Sequence, residues 1–259
     1  MPSSSDLEND RLAGRIAVIT GAAGAIGGAT ARLLAGRGAT IVAVDHPDAD
    51  WGRTKAALDA FPATLYVAAD VTSEADVKAY AQAAVQAFGR IDLFFNNAGI
   101  EGPQALLPDY PVAEFRRILE VNVTGVFLGL QAVLPVMIGQ KGGAIVNSSS
   151  IAGLIGATGM AGYIASKHAV LGLTRVAALE GAEAGVRVNS VHPGFIESRM
   201  LSDIASRLGG TSKALATTVP VKRLGTPDEI AKGVAFLLSD ESSYMNGGQL
   251  VLDGGLTVG

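Results

Sequence analysis

The chain has no cysteine and few histidines, and each shortage removes a class of site from consideration. Its 259 residues include no Cys, and the three His, at 46, 168 and 192, are scattered without the spacing of metal ligands. Disulfide frameworks, thiolate chemistry and zinc–cysteine sites are therefore excluded. We expect no catalytic metal.

Charge is also scarce, because only 17% of the residues are Asp, Glu, Lys or Arg and the net charge is −4. This balance gives no reason to expect a nucleic acid or an anionic membrane as a partner. Apolar residues make up 49% of the chain, which also has 33 glycines. That composition is typical of a densely packed globular protein rather than a disordered one.

Two segments bear on localisation. Residues 1–10 are polar and lack the basic and apolar regions of a signal peptide, so we expect a flexible N-terminal arm and a cytoplasmic protein. Val121–Gln140 has no charge over a length that could cross a membrane. It contains Asn122 and Pro135 and continues a helix that begins with charged residues, so we predict a buried helix and no membrane partner.

Apolar runs of strand length alternate with helix-length segments, which predicts repeated β-α-β units. The predicted strands are Ile16–Thr20, Thr40–Asp45, Thr64–Ala69, Ile91–Phe95, Ala144–Ser148, Arg187–Val191 and Gln249–Leu252. The predicted helices are Ile26–Gly36, Trp51–Ala60, Ser73–Phe88, Val112–Ile138, Tyr163–Ala184 and Pro227–Leu238. The expected fold is a Rossmann-like, doubly wound α/β domain over residues 11–259, with a mostly parallel seven-stranded sheet and helices on both faces.

A ligand on such a sheet is expected at the carboxyl ends of the strands. The first strand is followed by a glycine-rich turn, Thr20–Gly28, whose backbone can approach a pyrophosphate at a helix N-terminus. Asp45 ends the second strand, where a carboxylate can accept hydrogen bonds from ribose hydroxyls and repel a 2′-phosphate. No Lys or Arg lies in the turn, and His46 follows Asp45, so NAD is favoured over NADP.

Tyr163 and Lys167 are four residues apart on a predicted helix, so their side chains share one face. A neighbouring cation can lower the pKa of a tyrosine towards the range where it exchanges a proton with an alcohol. Ser150, 13 residues earlier, ends the fifth strand and could donate to a substrate carbonyl oxygen. Asn122 is a polar residue inside a hydrophobic helix, where it could be a buried, satisfied amide or break the helix locally.

Taken together, these motifs resemble the classical short-chain dehydrogenase/reductase family, from about residue 14 to residue 255. The residues that carry the resemblance are Thr20–Gly28, Asp70, Asn96–Gly99, Asn122, Ser150, Tyr163-x-x-x-Lys167 and Pro193-Gly194. The resemblance implies hydride transfer between NAD and an alcohol or ketone, with Tyr163 as general acid and base. It further implies that Lys167 lowers the tyrosine pKa, that Ser150 holds the substrate oxygen, and that Asn122 helps to hold a relay water.

The resemblance also implies the cofactor contacts. These are Gly21, Gly24, Ala25, Ile26, Gly27, Asp45, Asp70, Val71, Asn97, Ala98, Gly99, Tyr163, Lys167, Pro193, Gly194, Ile196 and Ser198. Three positions depart from the family pattern. Ala25 stands in place of a usual glycine, Ser198 in place of a common threonine, and Arg199 in place of a frequent proline, which predicts a freer loop there.

Substrate contacts in the family come from the loop after the sixth strand, here about residues 197–219, and from two segments near residues 101–106 and 151–160. The candidate substrate residues are Ser150, Ala152, Met160, Phe195 and Met200. Their character favours a small or cyclic apolar secondary alcohol or ketone, although packing of the loop would explain the same residues. The resemblance implies a homotetramer built on two-fold interfaces.

Two alternatives remain open at this point. The first is an NADPH-dependent 3-oxoacyl reductase of the same family, which Asp45 and the lack of basic residues in the turn oppose. The second is a non-catalytic NAD-binding sensor on the same fold. Such a protein could lose Tyr163 or Lys167 without penalty, so the intact motif opposes it.

Overall fold

The computed structural model describes residues 12–61, 64–207 and 210–258. The predicted N-terminal arm, residues 1–10, lies outside these ranges. Seven strands form one parallel sheet in the order β3-β2-β1-β4-β5-β6-β7. The strands are β1 Ile16–Thr20, β2 Thr40–Asp45, β3 Leu65–Ala68, β4 Leu93–Asn96, β5 Gly143–Ser148, β6 Val186–Pro193 and β7 Gln249–Leu252. The predicted doubly wound fold is confirmed, and every pairing is parallel.

The helices lie between the strands and cover both faces of the sheet. They are α1 Ala25–Gly36, α2 Gly52–Leu58, α3 Glu74–Phe88, α4 Val112–Leu119, α5 Gly125–Gln140, α6 Ala161–Gly181, α7 Arg199–Arg207, α8 Ser212–Thr218 and α9 Pro227–Leu238. One core packs α3, α5 and α6 on the sheet, around Phe94 and Ile145. The other packs α1 and α9 on the opposite face, around Ile19 and Phe95.

Local sequence signals set several helix ends. The Ser73 side chain accepts a hydrogen bond from the Asp76 N–H and starts α3, which ends at Gly89 with a φ of 78°. At α9, Thr226 and Glu229 form a reciprocal capping box, and Pro227 follows the cap. These helices begin within one residue of their predicted starts because the caps are short-range features.

The segment Val112–Gln140 is interrupted, although the sequence predicts one helix there. Residues Glu120–Thr124 form a π-helical turn between α4 and α5, centred on Asn122. By length and composition alone the segment could cross a membrane, and half of its most apolar stretch is buried inside the domain. Leu130, Val133 and Met137 lie in the core, which confirms the prediction of a helix packed on the sheet.

The chain after β6 differs from the expected loop. Residues 197–219 contain two helices, α7 and α8, and Arg199 is the first residue of α7. The prediction of a freer loop at Arg199 is therefore wrong. The Ser198 hydroxyl accepts a hydrogen bond from the Leu201 N–H at 3.2 Å, which starts the helix in the way a serine cap does.

Candidate active site

The turn between β1 and α1 requires glycine at two positions. Gly21 has a φ of 65°, and a Cβ there would lie 2.8 Å from Asn97 Nδ2. A Cβ on Gly27 would lie 2.1 Å from the Gly21 carbonyl oxygen. Within the described first turn of α1 there is neither a side-chain cap nor an acidic residue. Its first N–H groups are therefore suited to a pyrophosphate, which is the kind of ligand a bare helix N-terminus attracts.

Ala25 fits this turn without strain. It is the first residue of α1, with Gly24 as the preceding cap. Among the described non-glycine residues only Lys141 and Lys222 have a positive φ, so Ala25 does not need the conformational freedom of glycine.

Asp45 lies beside the turn and is bound to it. Its Oδ2 accepts a hydrogen bond from the Ala23 N–H at 2.8 Å, and its Oδ1 accepts one from the His46 N–H at 2.8 Å. The carboxylate therefore stands at the end of β2, next to the bend of the glycine-rich turn. This is the position that the sequence predicts for a group contacting the ribose.

The ends of β3 and β4 complete this edge of the sheet. Asp70 accepts hydrogen bonds from the N–H and the hydroxyl of Thr72, and these bonds are the main reason that its pKa is lowered. The Thr20 hydroxyl oxygen accepts hydrogen bonds from the N–H groups of Asn97 and Ala98 at 2.9 and 3.1 Å. Their strand-end loop is thereby fixed against the end of β1, at the point where the strand order reverses.

Val71 and Gly99 bring this edge towards the predicted catalytic tetrad, which consists of Asn122, Ser150, Tyr163 and Lys167. A Cβ on Gly125 would lie 3.0 Å from Val71 Cγ2, so Val71 packs against the start of α5. A Cβ on Gly99 would lie 3.1 Å from Asn122 Oδ1 and 3.4 Å from Lys167 Nζ. The cofactor-side loop and the predicted catalytic residues are thus in direct contact.

Ser150, Tyr163 and Lys167 come together at the end of β5. The Ser150 side chain lies close enough to the Tyr163 hydroxyl to lower the pKa of the tyrosine. Lys167 is buried, its Nζ donates to the Ser148 carbonyl oxygen at 2.9 Å, and it lies 5.6 Å from the centroid of the Tyr163 ring. The structure therefore places a hydroxyl pair and a cation within one small region, as the sequence predicts.

Burial controls the pKa values of this cluster. Burial raises the pKa of Tyr163 to about 12, although the hydrogen bond from Ser150 lowers it, and the nearby charge of Glu101 raises it further. Burial also lowers the pKa of Lys167 to about 8. Burial has the largest effect on the pKa of Tyr163 in this structure, and the lowering of that pKa by Lys167 remains a prediction.

Asn122 joins three segments of chain through its buried amide. Its Oδ1 accepts a hydrogen bond from the Ile100 N–H at 2.8 Å, and its Nδ2 donates to the Ile100 carbonyl at 2.8 Å and to Ser166 Oγ at 3.0 Å. Both hydrogens of Nδ2 are therefore used within the protein. The sequence left two possibilities open for Asn122, and both hold. Its buried amide is satisfied by hydrogen bonds, and the helix around it is locally broken.

The predicted nicotinamide end follows β6. A Cβ on Gly194 would lie 2.7 Å from Asp253 Cα, so glycine is required where this loop crosses the end of β7. Ile196 is buried and forms an isolated parallel bridge with Gly225. Pro193, Gly194 and Ile196 therefore form a rigid exit from the sheet, while the Ser198 side chain serves as the helix cap.

The two segments predicted to contact the substrate are linked to each other. The Ala105 N–H donates to the Gly159 carbonyl at 3.0 Å, which joins the segment after β4 to the segment before α6. A cavity of about 620 Å³ opens beside the first of these segments and is lined by Ile100, Glu101, Gly102, Pro103, Gln104, Glu114 and Arg117. The charged groups here add a polar side to the mainly apolar pocket that the sequence predicts.

Only two of the five candidate substrate residues, Ser150 and Ala152, are linked by a hydrogen bond within the part of the chain that the structure describes. The Ala152 N–H donates to Ser150 Oγ at 3.2 Å, so these two residues share the short 3₁₀ turn Ile151–Gly153. Met160 precedes α6, Phe195 follows β6, and Met200 lies in α7. None of these three lines the cavity described above.

Two residues near the tetrad were not predicted from the sequence. Ser166 Oγ donates to the Tyr163 carbonyl oxygen at 2.7 Å, and the His192 ring lies 2.9 Å from the Ser150 carbonyl oxygen. Their neighbours in sequence, Lys167 and Pro193, pointed to this region. The hydrogen-bond partners of Ser166 and His192 include residues far away in sequence, so the sequence did not indicate these contacts.

With this geometry in place, comparison with known proteins defines the class. A family model described as enoyl-(acyl carrier protein) reductase matches residues 21–257. The chain belongs to this family, the short-chain dehydrogenases/reductases, and is an oxidoreductase that works with a nicotinamide cofactor.

Individual relatives cover nearly the whole chain. Levodione reductase of Leifsonia aquatica is 42% identical over 95% of this chain and 95% of its own length. Cyclohexanol dehydrogenase of an Acinetobacter species is 40% identical over 94% of this chain and 95% of its own length. A crystal structure of levodione reductase superposes with a TM-score of 0.92 at 41% identity, covering 96% of this chain and 99% of that one. A crystal structure of NAD⁺-bound xylitol dehydrogenase superposes with a TM-score of 0.90 at 36% identity, covering 95% of this chain and 100% of that one.

Proposed function

We propose that the protein is an NAD-preferring dehydrogenase/reductase that interconverts a small or cyclic secondary alcohol and its ketone. The observation that carries the proposal is the cluster of Ser150, Tyr163 and Lys167 at the end of β5, next to the glycine-rich turn. The names of two relatives, levodione reductase and cyclohexanol dehydrogenase, support a ketone or cyclic alcohol as the substrate.

The residues around the turn fit a dinucleotide. The bare N-terminus of α1 would hold the pyrophosphate, and Asp45 would accept hydrogen bonds from the adenosine ribose. A carboxylate at this position disfavours the 2′-phosphate of NADP, which supports NAD and opposes the 3-oxoacyl reductase alternative. When bound, the cofactor supplies or accepts the hydride.

The protein's own residues would manage the proton. In ketone reduction, the Ser150 hydroxyl donates a hydrogen bond to the substrate oxygen, and Tyr163 gives its phenolic proton to that oxygen as negative charge grows there. In alcohol oxidation the same proton returns to the tyrosine oxygen. Because the pKa of Tyr163 is raised to about 12, the tyrosine is protonated at neutral pH and is ready to act as the acid.

Lys167 and Asn122 would support this chemistry in different ways. With its pKa lowered to about 8, Lys167 is largely charged at neutral pH and stabilises the tyrosinate that forms when the proton leaves. Asn122 fixes the backbone of Ile100 and the start of α6, since its side-chain amide is already engaged by protein groups. We therefore assign Asn122 a positioning role.

The wider organisation follows the family. We infer that residues 11–259 act as one NAD-binding catalytic domain in a cytoplasmic homotetramer, with a substrate loop at about residues 197–219. Exposed apolar side chains on α5 and α6, namely Phe127, Ile138, Val176 and Leu179, support a subunit interface on these two helices.

The decisive experiment is an assay of NADH absorbance with cyclic and aliphatic ketones and the matching alcohols. We expect turnover with NAD(H), and we expect the Tyr163→Phe variant to lose at least about 100-fold in kcat while it still binds NADH. The matched control is Tyr80→Phe, because Tyr80 is a buried tyrosine on α3. Retention of most of the turnover by Tyr163→Phe, on a substrate that the wild-type protein converts, would refute the assignment.

A further inference from the structure

His192 is completely buried in β6, and both nitrogens of its ring have partners. Nδ1 lies 2.9 Å from the Ser150 carbonyl oxygen, and Nε2 lies 2.9 Å from Ser190 Oγ. Ser190 Oγ also lies 3.2 Å from the Gly248 carbonyl oxygen. The imidazole therefore connects the end of β5 to the strand beside it through side-chain groups.

The chemistry of these partners fixes the tautomer of the ring. A carbonyl oxygen can only accept a hydrogen bond, so Nδ1 must carry a proton and donate it to Ser150. In the neutral ring Nε2 is then an acceptor, and it shares the single hydrogen of the Ser190 hydroxyl with the Gly248 carbonyl oxygen. Burial lowers the pKa of the ring, the hydrogen bond to the Ser150 carbonyl opposes this, and the nearby charge of Lys167 lowers the pKa further, so the neutral form is favoured.

The Ser150 carbonyl is held from two sides. The Gly153 N–H donates to it at 2.9 Å from within the short 3₁₀ turn, and His192 is the donor from the sheet. The last backbone hydrogen bond between β5 and β6 runs from the Ser149 N–H to the Val191 carbonyl, so Ser150 lies just beyond the regular strand pairing. Without the His192 bond, the turn that carries Ser150 would keep only the longer contact of 3.5 Å from Ser150 Oγ to the Pro193 carbonyl as a side-chain link to β6 among the described residues.

The same contact bears on the Ser150 hydroxyl. Ser150 Oγ accepts a hydrogen bond from the Ala152 N–H at 3.2 Å and lies 3.5 Å from the carbonyl oxygen of Pro193, the residue after His192. Its hydroxyl also lies close enough to the Tyr163 hydroxyl to lower the pKa of the tyrosine. The carbonyl and the hydroxyl of Ser150 belong to one residue, so a shift of the first moves the second.

We propose that His192 is a positioning residue that orients Ser150 Oγ towards the Tyr163 hydroxyl by anchoring the Ser150 carbonyl. This inference rests on the proposed function, because it gives His192 a role only through Ser150 and Tyr163. It separates His192 from the other two histidines, whose side chains are exposed.

A positioning role has a consequence that a purely structural role lacks. The Ser150 hydrogen bond lowers the pKa of Tyr163, whereas burial and the charge of Glu101 raise it. Lys167, one turn further along α6, is the other charged group facing the tyrosine ring. If Ser150 shifts, the lowering contribution is lost, and alcohol oxidation, which needs the tyrosinate, must move to higher pH.

The test compares His192→Leu, which removes the donor, with His192→Asn, whose amide can reproduce the Nδ1 donor. Ser150→Ala is the reference for loss of the hydroxyl. The control is Val188→Ala, because Val188 is a fully buried residue of the same strand whose side chain cannot form a hydrogen bond to Ser150. For each variant, kcat, the KM for NAD and the pH profile of oxidation are measured, together with the melting temperature.

We expect His192→Leu to lower kcat by about 10-fold or more and to shift the rising limb of oxidation to higher pH, as Ser150→Ala does. The KM for NAD should change less than 2-fold, and His192→Asn should recover part of kcat and of the pH shift. Val188→Ala should lower the melting temperature without moving the pH profile. If the pH profile of oxidation is the same in His192→Leu as in Val188→Ala, the inference is wrong.

Two further outcomes are decisive. If His192→Leu does not fold, Ser190→Ala keeps the ring but removes the hydroxyl beside Nε2, which loosens the hold on the imidazole. A smaller loss of kcat with the same direction of pH shift supports the inference, and an unchanged profile overturns it. If Ser150→Ala keeps full activity, the proposed function fails at Ser150 itself. If Ser150→Ala is inactive while the His192 variants keep the wild-type profile, only the role of His192 fails.

Discussion

Asp45 accepts a hydrogen bond from the Ala23 N–H at 2.8 Å, so the acid that ends β2 also fixes the bend of the glycine-rich turn. One carboxylate oxygen thus orders the turn proposed to bind the pyrophosphate, while the group as a whole is proposed to contact the ribose. A charge-assisted bond of this kind is stronger than one between neutral groups. Loss of Asp45 should therefore affect both parts of dinucleotide binding.

The first prediction separates these two effects of Asp45. Asp45→Asn keeps an oxygen that can accept from Ala23 but removes the negative charge, whereas Asp45→Ala removes both. We expect NADH affinity to fall by about 3- to 10-fold in Asp45→Asn and by 10-fold or more in Asp45→Ala, as expected for the loss of hydrogen bonds that involve a charged group. Discrimination against NADPH should weaken in both. Titration calorimetry with each cofactor measures these values.

The control for Asp45 is Asp48→Asn, which changes a highly exposed acid on the loop after β2. Its affinities for the two cofactors should stay within about 2-fold of wild type, since it lies apart from the turn and is screened by solvent. Equal losses of NADH affinity in Asp45→Asn and Asp45→Ala would show that the Ala23 contact contributes nothing.

The second prediction concerns Ser166, which joins Asn122 to the backbone of Tyr163. Ser166 Oγ accepts from Asn122 Nδ2 at 3.0 Å and donates to the Tyr163 carbonyl at 2.7 Å. Ser166→Ala would leave a buried amide hydrogen of Asn122 without its partner, at a cost of about 1–3 kcal/mol. We expect a lower free energy of unfolding in urea, whereas Ser243→Ala, at an exposed serine, should change it by less than about 0.5 kcal/mol.

Much of the fold could be predicted because the strands are short, continuous runs of mainly apolar residues. Three strands, β1, β2 and β7, have the predicted bounds, and α9 does too, since its start is set by a local capping box. The cluster of Ser150, Tyr163 and Lys167 could be predicted because the strand end and the helical spacing place these residues on the same edge. Each of these features depends on neighbours in sequence.

Other features depend on contacts between distant parts of the chain. Asn122 indicated a local break in a helix, but the π-helical turn is held by Ile100, which is 22 residues away. The tie between His192 and Ser150 spans 42 residues. The pKa of Tyr163 depends on how deeply α6 is packed, which sequence spacing does not specify. Helix α7 was missed although its serine cap, Ser198, was available as a signal.

The third prediction uses the pKa of Lys167, which burial lowers to about 8. Below that pH the lysine is charged, and above it the charge is lost, while Tyr163, with its pKa raised to about 12, remains protonated. Ketone reduction needs both the proton on Tyr163 and the cation that stabilises the resulting tyrosinate. We therefore expect kcat/KM for reduction to be level near pH 7 and to fall by about 10-fold between pH 7.5 and 9.5.

Unfolding does not account for this fall. Since the pKa of Lys167 is lower in the folded chain than its ordinary value of 10.5, the unfolded chain binds the proton more tightly. The contribution of Lys167 to stability therefore increases as pH rises from about 8 to 10.5. Lys167→Met should catalyse ketone reduction with a much lower kcat/KM, and its pH profile should show no break near pH 8. Lys141→Met, which changes an exposed lysine, should keep the wild-type pH profile. A break near pH 8 that persists in Lys167→Met would assign the titration to another group.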